Sequence, residues 1–260
     1  MTSLELDLLL ILTFLFTGLV AGTIDAIAGG GGLITLPVLL ASGLSPVQAL
    51  ATNKLQGSFG TFAASAYFVR RGQVNLGEMR GMILCTFLGS AAGTLLVQHI
   101  DNSILAGIMP ALLILIALYF AFSPKISDLD RERRIGTTLF AVGISSAVGF
   151  YDGFFGPGTG TFFMLAFVTL AGFGLARATA HTKVLNFTSN FAALLFFLFS
   201  GHILWLAGLA MGLGQLIGGQ LGARLVVTRG TRLIRPLIVT ITLLMSAKLL
   251  LDRFDLSLFS

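Results

Sequence analysis

Charge is what this sequence holds least of. Lys, Arg, Asp and Glu make up 10% of its 260 residues, while 55% are hydrophobic; an ordinary soluble domain is roughly a quarter charged. So few charges cannot give a 27.4 kDa chain a solvated surface, which excludes a water-soluble protein. The same deficit excludes disorder, which requires low hydrophobicity and high charge. Cysteine is almost absent: Cys85 stands alone, so no intrachain disulfide can form, and a metal site built on thiolates is not expected for the same reason. Its mid-helix position fits packing. Enzyme motifs are missing too. There is no HExxH, no Walker loop, no GxSxG and no Ser–His pair at a useful spacing, so no catalytic residue, metal or cofactor is expected.

Apolar length is what the chain has instead. Runs of about 20 apolar residues are candidate transmembrane helices, and eight occur: Leu6–Ala28, Pro46–Val69, Gly77–Gln98, Ser103–Phe122, Ile135–Phe155, Leu175–Phe199, Leu204–Val226 and Thr231–Leu251. Two shorter pieces, Leu33–Ala41 and Thr161–Ala171, each follow a glycine-rich break. The start, MTSLELDLLL, lacks the basic n-region of a cleavable signal, so the first run reads as a retained span. Only Ser123–Arg134 is clearly polar. It divides the chain into a membrane repeat over 1–122, a charged linker over 123–134 and a second repeat over 135–260.

The net charge of +5 hints at nucleic acid, but its distribution argues otherwise. Basic residues in short loops mark the cytoplasmic side. Arg70, Arg71, Arg80, Lys125, Arg131, Arg133, Arg134, Arg177, Arg224, Arg229, Arg232 and Arg235 fall on one side, leaving only Lys248 and Arg253 outside and Lys54 and Lys183 within spans. The assignment puts both termini on the outer face of the membrane. It also requires each glycine break to make a down-and-up hairpin, giving five segments per half. An odd number inverts the second half relative to the first. Trp205 falls where an interfacial anchor belongs.

The halves are alike in sequence. GLVAGTIDAIAGGGG from Gly18 matches GFYDGFFGPGTG from Gly149, pairing Asp25 with Asp152; ATNKL (Ala51–Leu55) matches AHTKV (Ala180–Val184). FAASAYFVRRG ending at Gly72 then matches FAALLFFLFSG ending at Gly201, and Gly89–Gly93 falls on Gly218–Gly222. The expected fold is an all-α polytopic membrane protein of two inverted-topology repeats, each a glycine-broken hairpin plus three transmembrane helices. Many secondary transporters are built this way.

Several residues carry candidate chemistry. Glycine runs are poor helix formers, and freed backbone survives in lipid only where protein or a water-filled cavity satisfies it. Gly30, Gly31, Gly158 and Thr159 lie in the two breaks and are candidates to bind an anion through helix N-termini; close packing is the other use of such glycines. Lys54 and Lys183 each lie about eight residues into a span, roughly 12 Å deep at 1.5 Å per residue. Charge at that depth is costly and usually functional. A salt bridge to Asp25 or Asp152 is the structural alternative, and release of a lysine by an arriving anion would join the two. Thr52, Asn53 and Gln56 surround the first lysine; His181, Thr182, Asn186 and Asn190 surround the second. These can bind an oxyanion without adding charge, or simply link helices. Asp25 and Asp152 are candidates for proton coupling or gating, and equally for pairing with the lysines. His181 can titrate near neutrality but has no histidine mate.

At these residues the chain resembles the TauE/SafE sulfite exporter family, or TSUP transporters, in its YfcA-like branch. The resemblance rests on GLVAGTIDAIAGGGGLITLPVLLASGLSPVQALATNKL and its echo GFYDGFFGPGTGTFFML…ARATAHTKVLNF, and runs over essentially the whole chain. It implies a bacterial inner-membrane carrier, its outer-facing termini then periplasmic, of small, often sulfur-containing anions such as sulfite, thiosulfate or organosulfonates. The expectation from repeat and resemblance together is a secondary transporter of such an anion working by alternating access, with export the expected direction and proton coupling a further candidate. Family members handling thiosulfate-like substrates are expected to use cysteines, and the solitary Cys85 offers no such relay. Expected partners are a small anion and the lipid bilayer, with protons and a second copy of the chain as further candidates and nucleic acid excluded. A passive anion channel and a non-transporting membrane scaffold are the rival readings.

Overall fold

A computed structural model describes residues 8–121 and 130–229. These form α1 (Leu8–Ala28), α2 (Gly32–Ala41), α3 (Pro46–Arg70), α4 (Arg80–Gln98) and α5 (Asn102–Ala121) in the first half. The second contains α6 (Thr137–Leu139), a π-helical stretch (Phe140–Ser145), α7 (Ser146–Phe154), α8 (Thr159–Thr169), α9 (Leu175–Phe197) and α10 (Trp205–Arg229). Among the described residues there is no strand. The expected span Thr231–Leu251, Lys125, Lys248 and Arg253 lie outside the described residues. The span expected over Ile135–Phe155 starts instead at Thr137 and carries a wide π turn before α7.

The polarity is that of a membrane protein. Leu9, Phe16, Leu84, Leu115, Val142 and Phe199 are exposed, while Lys54, Lys183, Thr52 and Gln56 are buried. Water would reverse this order; lipid stabilises it. α1 and α4 are each long and apolar enough to cross a bilayer. α3 and α9, of 25 and 23 residues, carry most of the buried polar side chains among the described residues and occupy the interior.

Local sequence sets where α3 begins. Pro46 occupies its first turn, the Ser45 N–H donates to Gln48 Oε1 at 3.1 Å, and the Val47 N–H donates to Asn102 Oδ1 at 3.2 Å. A proline needs no partner at that position. The described end of the charged linker is strapped to the α8–α9 corner. The Arg131 and Arg134 N–H groups donate to Gly172 O and Leu170 O at 2.7 and 2.9 Å, and Asp130 accepts the Gly174 N–H.

Two glycine-lined seams position everything else. In the α1–α10 seam a Cβ at Gly22 would lie 2.7 Å from Gln215 O, and one at Gly218 2.2 Å from Leu19 O. In the α7–α4 seam a Cβ at Gly149 would lie 2.5 Å from Thr86 O, and one at Gly89 2.3 Å from Ser146 O. No larger residue fits at such backbone contacts. Each of these contacts in one seam has its counterpart in the other at the residues that the sequence repeat pairs. Gly89, Gly93, Gly218 and Gly222, which the repeat pairs, are thus packing residues. Outside these seams, a Cβ at Gly219 on α10 would lie 2.3 Å from Gly60 O on α3, and its mate Ser90 on α4 donates its hydroxyl to Ser189 O on α9 at 2.6 Å.

Candidate functional site

Both helix breaks form because glycine takes backbone conformations closed to other residues. α1 stops at Ala28, Gly29 turns with φ +82°, and α2 restarts at Gly32. α7 stops at Phe154, Gly156 and Gly158 take φ +100° and +81°, and α8 restarts at Thr159. The two breaks meet. A Cβ on Gly29 would lie 2.4 Å from Gly160 C, Gly32 faces Pro157, and the Thr161 hydroxyl donates to Ala28 O at 2.8 Å. The N-termini of α2 and α8 thus converge. Among the described residues, the N–H groups of Gly30, Gly32, Gly158 and Gly160 donate to no protein acceptor.

The lysines cross between the halves. Lys54 Nζ on α3 donates to Asp152 Oδ1 at 2.8 Å and also to Asp152 O. Lys183 Nζ on α9 donates to Asp25 Oδ2 at 3.0 Å and also to Asp25 O. Both lysines are 1% exposed. Each ammonium therefore sits at the C-terminal end of the opposite half's broken helix, where the dipole favours a cation. The aspartate partners that the sequence left open are thus set. Their surroundings differ: Asp25 Oδ1 accepts the Gly31 N–H at 3.2 Å. Asp152 Oδ1 accepts the Thr159 hydroxyl at 2.8 Å as well as Lys54, while its Oδ2 has no partner among the described residues.

A polar cavity of about 30 Å³ lies between the breaks, room for about one or two water-sized groups. Asp25, Asp152, Asn53, Gln56, Asn186, Asn190, Gly31 and Gly158 line it, together with Gln215. Asn53 Oδ1 accepts the Thr35 hydroxyl and the Gln56 amide, both at 2.6 Å; the Gln56 Oε1 is buried without a partner among the described residues. The Asn190 amide donates to Asn186 O at 2.8 Å. This small cavity is walled by amides, carboxylates and free N–H groups.

Other expected site residues stand elsewhere. The lysines hold the aspartates from behind and do not line the cavity in this conformation. Thr52 accepts the Leu204 N–H at 3.0 Å and ties α3 to the start of α10. The His181 ring packs against Phe167 and Phe173, with Nδ1 2.8 Å from Arg177 O. Thr182 is buried with no partner for its hydroxyl among the described residues. Gly30 adjoins the cavity without lining it, and Thr159 faces Asp152 and Gly156 O.

Gln215 was missed. It comes from α10, 3% exposed, and Gly60 opposite leaves its room: a Cβ there would lie 2.2 Å from Gln215 Oε1. An amide inside the apolar run MGLGQLIGG was the available signal, since a polar group in lipid must find a partner. Thr35, which supports Asn53, was missed as well.

A helical bundle with lipid-compatible outer walls, two broken helices and a buried polar cavity is the build of a membrane transporter. The chain belongs to the family described as Sulfite exporter TauE/SafE, whose model matches residues 14–249. It is 51% identical over 244 residues to the probable membrane transporter protein YfcA of Escherichia coli (strain K12), covering 94% of this chain and 91% of that one. A probable membrane transporter protein of Haemophilus influenzae is 51% identical over 248 residues, covering 95% and 96%. The more distant probable membrane transporter protein YunE of Bacillus subtilis is 27% identical over 238 residues, covering 79% and 85%. No solved structure matches the chain. It is a membrane transporter and not an enzyme.

Proposed function

We propose that the chain is a secondary transporter of a small anion, of the class of sulfite or an organosulfonate, working by alternating access in the bacterial inner membrane. Export is the expected direction. The observation that carries this reading is the convergence of two helix N-termini, with unbound N–H groups, on a cavity lined by neutral amides and by two carboxylates, each already paired with a lysine. That is the chemistry of an anion site. The description of the chain's family, Sulfite exporter TauE/SafE, supports the substrate class.

In this reading the two halves are inverted repeats, and the small cavity belongs to a closed state. Gly30, Gly31, Gly158 and the neighbouring amides orient the anion. Asn53, Gln56, Asn186 and Asn190 complete its hydrogen bonds without adding charge. Lys54 and Lys183 supply the compensating positive charge from behind the breaks. An arriving anion weakens one Lys–Asp pair, and opening follows on the side where that pair has loosened. Asp25 and Asp152 are the gates, and a proton on the released carboxylate would couple flux to the proton gradient.

The test is transport in proteoliposomes across a panel of oxyanions. Saturable flux of one or more of them is expected, with loss of at least tenfold in Lys54→Ala and in Lys183→Ala. Absence of saturable flux for every anion would remove the transporter reading. Full flux in both lysine variants would remove the site.

A further inference from the structure

A second cavity, of about 280 Å³, lies on the outer wall between α3 and α10, lined by Phe62, Ala63, Ala66, Tyr67, Leu216 and Gln220 and closed at one end by Arg70 and Arg71. It is separate from the transport cavity and shares no lining residue with it. Its α3 wall follows one helix face, the spacing of 62, 63, 66, 67, 70 and 71 fitting residues three to four apart. From Phe62 to Arg70 that face runs roughly 12 Å along the axis. The alanines hollow it, and Phe62, half exposed, borders it at the end away from the arginines.

The two ends differ in chemistry. One is apolar and open to the bilayer. The other presents two guanidinium groups, with Arg71 stacked over the Tyr67 ring at 5.3 Å from its centroid. Cation–π contact limits where that guanidinium can go. No acidic residue lines the groove among the described residues, so the arginines find no counter-charge in its walls. Arginines at a helix C-terminus also offset the dipole, but one suffices for that and neither needs a groove.

We propose that this groove binds one anionic phospholipid, its phosphate on Arg70 and Arg71 and one acyl chain along Phe62, Ala66 and Leu216. The ligand must be amphipathic, because the groove is. A soluble anion would leave the apolar length unfilled. A second copy of the chain would use the same patch on both sides of a two-fold interface, and that patch brings four arginines and no acid. Basic pockets between transmembrane helices at the cytoplasmic side recruit anionic headgroups on this principle, and the basic-residue bias of the loops assigns the Arg70 end of α3 to that side.

Native mass spectrometry of the purified full chain tests it, with dioleoyl phosphatidylglycerol and dioleoyl phosphatidylcholine offered at equal concentration. One phosphatidylglycerol is expected to be retained preferentially. Arg70→Gln with Arg71→Gln should lower its affinity roughly tenfold or more, and Ala66→Phe, which fills the groove but keeps both arginines, should lower it comparably. Arg80→Gln, an exposed arginine outside the groove, should leave it unchanged. The surface arginine pair can be changed without disturbing the core, so that arm stands even if Ala66→Phe folds poorly. Equal retention of both lipids, or an unchanged affinity in the double arginine variant, would overturn the proposal. So would glycerol phosphate displacing the lipid as readily as a second lipid does, or a two-chain species disrupted by Ala66→Phe.

Discussion

Lys54 and Asp152 are 98 residues apart in sequence and 2.8 Å apart in space, joined as a buried ion pair. Lys183 and Asp25 repeat the relationship in the opposite sense at 3.0 Å. Neither half neutralises its own lysine. Each relies on a carboxylate at the break of the other, so movement of one half against the other must strain or break a pair. Removing one partner of a buried pair leaves an uncompensated charge and costs about 3–5 kcal/mol, whereas removing both is far milder. Lys54→Ala should therefore lower the thermal midpoint of the purified protein sharply, and Lys54→Ala with Asp152→Asn should recover much of that loss. A thermal-unfolding comparison of the four proteins in one detergent checks this. If the double variant is as unstable as the sum of the single ones, the pair is not the coupling unit.

The two aspartates are not equivalent, and their difference is measurable. Both oxygens of Asp25 are engaged, by the Gly31 N–H and by Lys183. Asp152 lines the cavity, and its Oδ2 is buried without a partner among the described residues. A carboxylate beside an anion site repels the anion while charged and becomes a hydrogen-bond donor once protonated. If Asp152 carries the proton, Asp152→Asn should abolish flux driven by a pH gradient while anion exchange falls only as far as it does in Asp25→Asn, since each amide weakens one bond to a lysine. Asp25→Asn should impair both modes by weakening its bond to Lys183. Gradient-driven flux that survives Asp152→Asn intact would assign the proton elsewhere.

Contact between the breaks makes a second class of prediction. Gly29 and Gly43 both have positive φ, +82° and +86°. Only Gly29 is also crowded: its Cβ would strike Gly160 C at 2.4 Å, whereas nothing lies within 4 Å of one at Gly43. Gly43→Ala should cost roughly 1–2 kcal/mol for the left-handed backbone alone and leave transport in place. Gly29→Ala must push the breaks apart, so loss of transport by tenfold or more is expected together with a larger fall in the thermal midpoint. Equal phenotypes in a flux assay and a melt would show that the approach of the two breaks has no special role.

Legibility in the sequence followed the physics of each feature. The apolar runs and the glycine breaks were readable because lipid punishes every exception: α1, α3, α4, α5, α9 and α10 begin and end within a few residues of the expected limits. The paired Asp and Lys were readable because charge at that depth needs a partner. Which aspartate each lysine reaches was not, since that depends on how two halves cross in three dimensions. His181 and Thr52 share the helices of the lysines but face the α8–α9 corner and α10 instead. Proximity in sequence overstated their claim to the cavity. Gln215 was overlooked because its meaning comes from Gly22 and Gly60, distant residues that leave it space.

Orientation across the membrane supplies the last prediction. Gln73 and His202 follow Gly72 and Gly201, the paired glycines that end the α3 and α9 turns with φ +66° and +71°. A parallel repeat would bring both positions to the same side. An inverted one must separate them, because five segments per half is an odd number of crossings. In a Cys85→Ser background no native thiol remains, so Gln73→Cys and His202→Cys can each be probed alone with a membrane-impermeant maleimide. Labelling of residue 202 in intact spheroplasts, and of residue 73 only after the membrane is opened, is the expected outcome. Labelling of both from outside would break the inversion, and with it the alternating use of two symmetric Lys–Asp latches: two parallel halves would loosen toward the same side, and the cavity between them could open there but not exchange faces.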